Sequence, residues 1–164
     1  MKKNLLAGIL SLACMASFSA HADWDAKVED DIFSGGKQAM LVGMISMNNG
    51  IIFDCTKDSL SMAYVEKGDY KAAESLPVTM IVKVDSNDPV SLQGNFSKRN
   101  DEYLQAATTQ DGLVNILTQL KQAQSKVLIG LNVEAVNKKM SFSADAVGST
   151  KAVTDFATAC GIKV

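Results

Sequence analysis

Few side chains in this sequence have the types and spacing that catalysis requires. Ser34 and Lys37 match the Ser-x-x-Lys pattern of serine β-lactamases and penicillin-binding enzymes, in which the lysine helps to take a proton from the serine. The partner motifs Ser-Asp-Asn and Lys-Thr-Gly are both absent. Because a four-residue pattern with two free positions is common by chance, we interpret Ser34-Gly35-Gly36-Lys37 as a glycine turn.

Two clusters of carboxylates are candidates for acid–base chemistry. The first is Glu29-Asp30-Asp31, and the second comprises Glu66, Asp69 and Glu74. A glycosidase holds two carboxylates across a cleft and raises the pKa of one of them by burial. Both clusters lie in polar stretches, so we predict solvated surface for each.

Asp85-Ser86-Asn87-Asp88 resembles the start of a calcium-binding loop. The EF-hand pattern next requires an oxygen ligand, and Pro89 occupies that position. These residues are frequent turn formers, and we predict a solvated turn.

Several methionines lie in apolar stretches and could supply thioether ligands for copper(I). Methionine also fills gaps in hydrophobic cores, and we predict that role for these residues: Met40, Met44, Met47, Met62 and Met80.

The first 22 residues have the three parts of a cleavable signal peptide. Lys2 and Lys3 are followed by an uncharged apolar run from Leu5 to Met15, and Ala20 and Ala22 provide small residues at the cleavage point. The apolar run is shorter than the roughly 20 residues that span a bilayer as a helix. We predict export, cleavage after Ala22, and a single β-rich periplasmic domain over residues 23–164.

Cys14 offers an alternative cleavage point. It follows Leu10-Ser11-Leu12-Ala13, which is close to a lipoprotein cleavage box. Acylation of Cys14 would bring the same domain into contact with a membrane surface. No other feature predicts a membrane contact.

The composition of residues 23–164 excludes several functions. His21, the sole histidine, is removed with the signal, so the usual Ser–His and Cys–His nucleophiles and His-ligated metals are excluded. The 16 basic residues less Lys2 and Lys3 leave 14 against 18 acidic ones, and Arg99 is the lone arginine. This acidic balance argues against nucleic-acid binding. We predict no cofactor and no catalysis.

Two cysteines, Cys55 and Cys160, remain after cleavage. In an oxidising compartment they are expected to form one disulfide, which closes a loop of about 105 residues. A redox-active pair is the alternative, but reactive dithiols usually form a Cys-x-x-Cys motif.

Alternating apolar and polar residues predict seven or eight strands. The apolar runs 39–47 and 51–53 flank Asn48-Asn49-Gly50, which predicts a hairpin turn. Helical spacing predicts one helix after an Asp111 N-cap and a last helix from Gly148 to a C-cap at Gly161. The expected fold is α+β, mainly antiparallel and sandwich-like, with two short helices, the C-terminal one pinned by the disulfide.

Four features together resemble a known group of small periplasmic proteins. They are Trp24, Cys55-x-x-x-x-Leu60, Val82-x-Val84-Asp85, and the closing stretch with Met140-Ser141-Phe142, Gly148-Ser149-x-x-Ala152 and Phe156-x-x-x-Cys160-Gly161. The chain is similar to type VI secretion-associated accessory proteins and to invasion-associated locus B-like proteins. This resemblance implies a non-enzymatic envelope domain.

Three functions follow as hypotheses. The first is an exported accessory protein that contacts an envelope protein partner. The second is an inhibitor of a secreted hydrolase such as lysozyme, acting through a protruding loop between Glu66 and Ser75. The third is a carboxylate-dependent cell-wall hydrolase.

Overall fold

The structure, a computed structural model, describes residues 23–33, 35–68, 75–109 and 111–164. Within these ranges the chain forms nine strands, two α-helices and one 3-10 turn. The strands are β1 (Trp24–Asp31), β2 (Gly36–Met44), β3 (Asn49–Thr56), β4 (Ser59–Lys67), β5 (Leu76–Val84), β6 (Val90–Lys98), β7 (Tyr103–Thr108), β8 (Lys126–Val133) and β9 (Lys138–Asp145). The helices are α1 (Leu113–Lys121) and α2 (Ser149–Cys160), and the 3-10 turn is Glu134–Val136. Neither helix of the described ranges is long and apolar enough to cross a membrane.

All nine strands belong to one sheet with the order β1-β2-β3-β4-β7-β6-β5-β8-β9, and each pair of neighbours is antiparallel. The sheet curls into a half-barrel. The predicted fold class is confirmed: the chain is mainly antiparallel β with two helices, the second of them C-terminal. It is sandwich-like only loosely, because the described strands form one continuous sheet that curls over the core.

Contacts between distant strands show how tightly the sheet curls. The rings of Tyr64 on β4 and Phe142 on β9 stack with centroids 4.7 Å apart, although four strands lie between β4 and β9 in the sheet order. At one end of the curl, the indole N–H of Trp24 donates to the carbonyl oxygen of Asp145 at 2.7 Å. The backbone N–H of Trp24 donates to the carbonyl oxygen of Val147 at 3.2 Å. The two edge strands therefore meet at this end.

The core lies on the concave face, because side chains alternate between the two faces of each strand. On β5, for example, the buried residues are Val78, Met80, Val82 and Val84. Met62 also lies in the core, so the core role is confirmed for Met62 and Met80. That role is wrong for Met44 and Met47, which are exposed because they lie at the end of β2 and in the turn that follows, beyond the concave face. Met40 is half-buried.

The two helices pack against each other and against the core face of the sheet, where α1 contacts β4 and β5. The apolar face of α1 buries Leu113, Ile116, Leu117 and Leu120, as the helical spacing predicts. The helix α2 packs on β1 and β2, and the ring of Phe156 meets the ring of Phe53 edge-on at 6.5 Å.

Of the two predicted helix caps, one is wrong and one is confirmed. The Asp111 N-cap is wrong: Gly112 occupies that position with φ of 104°, a backbone conformation that L side chains rarely adopt. The Gly161 C-cap is confirmed, with φ of 65° and the N–H of Ile162 donating to the carbonyl oxygen of Ala157 at 2.9 Å.

The predicted disulfide is present. Cys160, the last residue of α2, is bonded to Cys55 on β3, and their Cα atoms lie 6.3 Å apart. Because 105 positions separate the two cysteines, the bond joins the last helix to a strand near the start of the chain.

The predicted hairpin between β2 and β3 is confirmed, but the position of its turn is wrong. The reversal occupies residues 45–48, and Asn49 and Gly50 already belong to β3. The N–H of Ile45 donates to the carbonyl oxygen of Asn49, which closes the turn. A Cβ at Gly50 would lie 2.7 Å from the carbonyl oxygen of Gly43, so this glycine permits a close approach of two strands.

Candidate functional site

A shallow apolar groove crosses the outer, convex face of the sheet near the β9 edge, with a volume of about 470 Å³. We call it the outer groove. It is lined by Ile81, Lys83, Pro89, Leu128, Ile129, Gly130, Ser141, Phe142 and Ser143. Ile81 and Leu128 are each 41% exposed. The same alternation that buries Val82 and Ile129 turns these two apolar side chains outward, so the groove lies on a face that elsewhere is mostly polar.

Gly130 forms the floor of the outer groove. A Cβ built on Gly130 would meet the Cβ of Ile81 at 3.7 Å, which is an ordinary van der Waals contact. The position could therefore hold a side chain without a clash. Since glycine weakens a strand interior and none of the neighbouring atoms requires it here, the groove exists because a side chain is missing from β8.

The outer groove borders an edge strand. In the described residues β9 is paired with β8 alone, so its other edge has no strand partner, although the carbonyl oxygen of its last residue, Asp145, accepts a hydrogen bond from the indole N–H of Trp24. Such an edge can accept a further strand. Besides Lys83, the alternation places Lys126 and Lys139 on the same outer face, with Asp145 opposite Lys126. The groove and edge together could bind an extended peptide, with a preference for acidic residues.

A second depression, of about 240 Å³, brings two carboxylates together. Glu29 and Asp54 both line it. Lys27 donates a hydrogen bond to Glu29 and attracts it electrostatically, and both effects lower the pKa of Glu29. A general acid requires a raised pKa, so Glu29 is poorly suited to the role that a glycosidase would need.

Asp54 is held by the lone arginine. Nη2 of Arg99 donates to both carboxylate oxygens of Asp54, at 2.9 and 3.0 Å, and Nη1 donates to Oε1 of Gln105 at 3.1 Å. Asp54 lies on β3 and Arg99 in the β6–β7 turn, so this pair ties the turn across the outer face of the sheet. Its geometry gives Arg99 a structural role.

Asp85 also has a structural role. Its carboxylate accepts hydrogen bonds from the backbone N–H groups of Gln124, Ser125 and Lys126, at 2.8, 3.0 and 2.9 Å. These three hydrogen bonds join the β5–β6 turn to the start of β8 and to the two residues before it. The hydrogen bond from Gln124 contributes most to lowering the pKa of Asp85, followed by that from Lys126. The predicted turn is confirmed. The carboxylate of Asp85, its first residue, already accepts three hydrogen bonds from backbone N–H groups.

The lowered pKa of Asp85 makes a testable contribution to stability. A carboxylate with a depressed pKa stabilises the folded state fully above its ordinary pKa of 3.8, and the contribution is lost as pH falls through the folded value. The variant Asp85→Asn should lower the free energy of unfolding by about 1–2 kcal/mol at pH 7. Asparagine tolerates the positive φ of 49° at this position, so the backbone conformation is retained. The loss should shrink at pH 3 and below. Urea unfolding at several pH values measures it.

The exposed Asp88 in the same turn provides a matched control. Asp88→Asn should leave the free energy of unfolding within about 0.5 kcal/mol of the wild type, as is usual for a surface substitution. A loss for Asp85→Asn that stayed constant from pH 7 to pH 2 would contradict the charge-assisted role.

The structure places the other sequence-predicted residues as follows. Glu29 and Asp30 are exposed, with Lys27 and Lys37 as ion-pair partners, so the predicted solvated surface is confirmed there. Glu66 accepts a hydrogen bond from the hydroxyl of Tyr64. Within the described ranges no group of three His, Cys, Asp or Glu side chains could hold a metal ion.

Several predictions lie outside the described residues. They concern the signal peptide over residues 1–22, Cys14, the cleavage residues Ala20 and Ala22, His21, Ser34, Asp69, Glu74, and positions 69–74 of the loop proposed for an inhibitor.

The outer groove was not predicted from the sequence. The available signal was Gly130 within an otherwise alternating strand, since an isolated strand glycine often marks a close approach or a missing side chain. Comparison of the chain with protein-family models, with curated proteins and with solved structures finds no match in any of the three.

Proposed function

We propose that this protein is an exported accessory protein of the bacterial envelope that binds an extended segment of a partner protein along the outer groove and β9. The observation that carries this proposal is an apolar groove beside an open strand edge. Extended peptides bind such edges through backbone hydrogen bonds, while pockets beside the edge accept alternate side chains.

The charges around the outer groove favour one kind of partner. Lys83 lines the groove, and Lys126 and Lys139 share its face. An extended segment presents alternate side chains to opposite sides, so apolar residues could occupy the groove while acidic residues meet the lysines. The proposed partner therefore carries a segment in which apolar and acidic residues alternate.

Two features support export to an oxidising compartment. One is the charged, apolar and small-residue pattern of residues 1–22, and the other is the Cys55–Cys160 disulfide. Disulfides persist in the periplasm and are rare in the cytosol.

The intact mass of the protein isolated from cell envelopes tests the export. We expect the mass of residues 23–164 less two hydrogens, because cleavage follows Ala22 and the two thiols are oxidised. A mass that retains residues 1–22 would refute cleavage, and the additional mass of acyl chains on Cys14 would place the protein at a membrane.

Titration with synthetic peptides tests the binding site. A peptide of about eight residues, long enough to pair with β9, alternates valine with glutamate, and a second alternates valine with lysine. In amide chemical-shift spectra of the labelled protein, the acidic peptide should perturb residues 81–83, 128–130 and 139–143. The basic peptide should bind more weakly.

A charge reversal provides the control. Lys83→Glu should raise the dissociation constant of the acidic peptide by about threefold to tenfold, as expected for a partly exposed ion pair. Lys57→Glu, at an exposed turn distant from the groove, should leave its affinity unchanged. Equal binding of both peptides, or perturbations mapping to other strands, would refute the proposal.

A further inference from the structure

The outer groove contains a row of three residues that runs across the strands from the edge of β9 to β5. Ser141 of β9 lies opposite Gly130 of β8, and Gly130 lies opposite Ile81 of β5. All three residues line the groove. The side chain is small at the first position and missing at the second, so this row is open at the strand edge and Ile81 closes its far end. We call this row the edge trough.

The edge trough has a wall on each side. Leu128 and Asn132 lie two positions from Gly130 on β8, and residues two apart on a strand share a face. Leu128 is 41% exposed and stands on one side of the missing side chain, and Asn132 stands on the other. With two side walls and an end wall, the edge trough has the shape that accepts one long side chain.

The backbone of Ser141 faces the free edge of β9. Backbone groups point alternately to the two sides of an antiparallel strand. The N–H of Ala146 donates to the carbonyl oxygen of Ser125, on the β8 side. The carbonyl oxygen of Asp145 accepts a hydrogen bond from Trp24 of β1, on the opposite side. Ser141 lies four positions before Asp145, so its N–H and carbonyl groups also point to the free edge, where an added strand would pair with them.

A residue of an added strand that pairs with Ser141 lies in line with the edge trough. Its Cα atom would be about 5.5 Å from that of Ser141, as in a hydrogen-bonded pair. The pair of Ser141 with Gly130 is of the other kind, with Cα atoms about 4.5 Å apart. The bound residue therefore begins roughly 10 Å from Gly130. A valine side chain ends above β9, and only a long side chain reaches past Ser141 to the space over Gly130.

The surroundings of the edge trough favour an aromatic ring over other long side chains. Leu128 and Ile81 provide apolar walls, and each is 41% exposed. Among the described residues that line the outer groove, Lys83 alone is charged. An ammonium repels arginine and lysine, and it attracts the face of an aromatic ring within about 6 Å. Methionine is also long and apolar, but it loses more rotamer freedom on binding than a rigid ring with two χ angles.

We propose that the partner segment bound along β9 carries one aromatic residue opposite Ser141, whose ring lies in the edge trough over Gly130 and against Ile81. Gly130 then determines specificity, because a side chain at this position would fill the floor of the trough. The ring also fixes the register of the segment, since a shift of one residue would turn it to the other face of the sheet. This inference rests on the binding site of the proposed function and adds a required side chain.

Two peptides that differ at one residue test this requirement. The peptide that alternates valine with glutamate is the reference, and in the second peptide phenylalanine replaces one central valine. The phenylalanine peptide should bind the wild type about tenfold more tightly, because the ring removes more apolar surface from water in the trough than valine does. Nuclear Overhauser effects should connect the ring protons of the peptide with the Hα protons of Gly130 and the methyl protons of Ile81.

Filling the floor should remove the preference for phenylalanine. The position has room for a Cβ, and Gly130→Val should reduce the tenfold preference to about twofold or less. The valine peptide should bind this variant as it binds the wild type, because valine does not reach Gly130. Asn132→Val, which introduces the same side chain two residues along β8, is the matched control and should keep the full preference. If Gly130→Val does not fold, Gly130→Ala replaces it and should reduce the preference in part.

The outcomes separate this inference from the proposed function. A valine peptide that binds along β9, without tighter binding of the phenylalanine peptide, would overturn the inference and leave the proposed function standing. An equal loss of affinity for both peptides in Gly130→Val would also overturn it, because the glycine would then serve the strand and not the ring. If the wild type binds neither peptide, the inference and the proposed function fail together. Resonances of Gly130 and Ile81 that shift when the peptide-free protein is diluted would place a second copy in the trough and overturn the inference.

Discussion

Removal of the disulfide should lower the free energy of unfolding by about 4 kcal/mol, a large fraction of the roughly 5–15 kcal/mol that stabilises a typical domain. Cross-linking residues that are 105 positions apart restricts the unfolded chain, and a closed loop of about 100 residues corresponds to about 4.7 kcal/mol in the chain-entropy description. The folded state also contributes, because Cys55 is buried within the core beneath α2. Cys55→Ala/Cys160→Ala is the variant to compare with the oxidised wild type in urea.

The slope of the urea transition separates the two contributions. Without the bond the unfolded chain expands and exposes more surface, so the m value of the variant should exceed that of the oxidised wild type. A destabilisation that arose only from lost packing would leave the m value unchanged. Reduced wild type should unfold like the double variant, and reducing agent should have no effect on that variant. A change below about 1 kcal/mol would contradict the expected effect of this cross-link on the unfolded chain.

Docking of α2 relates this bond to the β1–β2 hairpin. The helix contacts β1 and β2, and the β1–β2 hairpin carries Ile32 and Phe33 at its tip. Cys160 also lines a small depression with Gly35 and Gly36, so the end of the helix lies beside the base of the tip. Loss of the disulfide should therefore increase amide hydrogen exchange at the end of α2 before it affects β5 and β8.

The elements that could be predicted from the sequence have strong local patterns. β5 alternates Val78, Met80, Val82 and Val84 on its buried face, and α2 ends at a glycine that adopts positive φ. The disulfide followed from counting cysteines. In each case the information lies within a few neighbouring residues or in the composition, where local physical rules apply.

The strand β7 could not be predicted from the same rules. Its residues Tyr103–Thr108 include the consecutive small residues Ala106 and Ala107, and their burial does not follow a clear alternation in residue type. β7 exists because β4 and β6 pair with it on either side. Tertiary context, which a local pattern does not contain, decides such a segment.

The outer groove depends on residues that are distant in the sequence. Gly130 leaves a space only because Ile81 of a neighbouring strand stands beside it, and these two positions are brought together by the pairing of β5 with β8. The exposure of Phe33 likewise depends on where the β1–β2 hairpin ends relative to α2. The isolated Gly130 marks a possible gap in β8, but the sequence does not show which side chain of another strand stands beside that gap.

Gly43→Ala should destabilise the protein by about 2–4 kcal/mol, which is large for the addition of one methyl group. Gly43 pairs directly with Trp24, and a Cβ on Gly43 would lie 2.6–2.7 Å from three carbon atoms of the indole ring. Trp24 is buried and its indole N–H donates to the carbonyl oxygen of Asp145. The ring cannot yield to the methyl group without losing this hydrogen bond, which joins the two edges of the sheet.

The side chain of Trp24 is therefore the cause of the requirement for glycine, and a double-mutant cycle tests this cause. Trp24→Leu alone should cost about 2–4 kcal/mol, since it removes a large buried ring and leaves a cavity. In that background, Gly43→Ala should cost less than about 0.5 kcal/mol or stabilise slightly, because alanine is favoured over glycine within a strand.

Gly130→Ala, where the Cβ has room, is the matched control and should be near neutral. Fluorescence of the sole tryptophan reports displacement of the ring in Gly43→Ala, and circular dichroism follows unfolding in the Trp24→Leu background. If the two substitutions proved additive, the conformation of the strand, and not the indole ring, would be the reason for a glycine at this position.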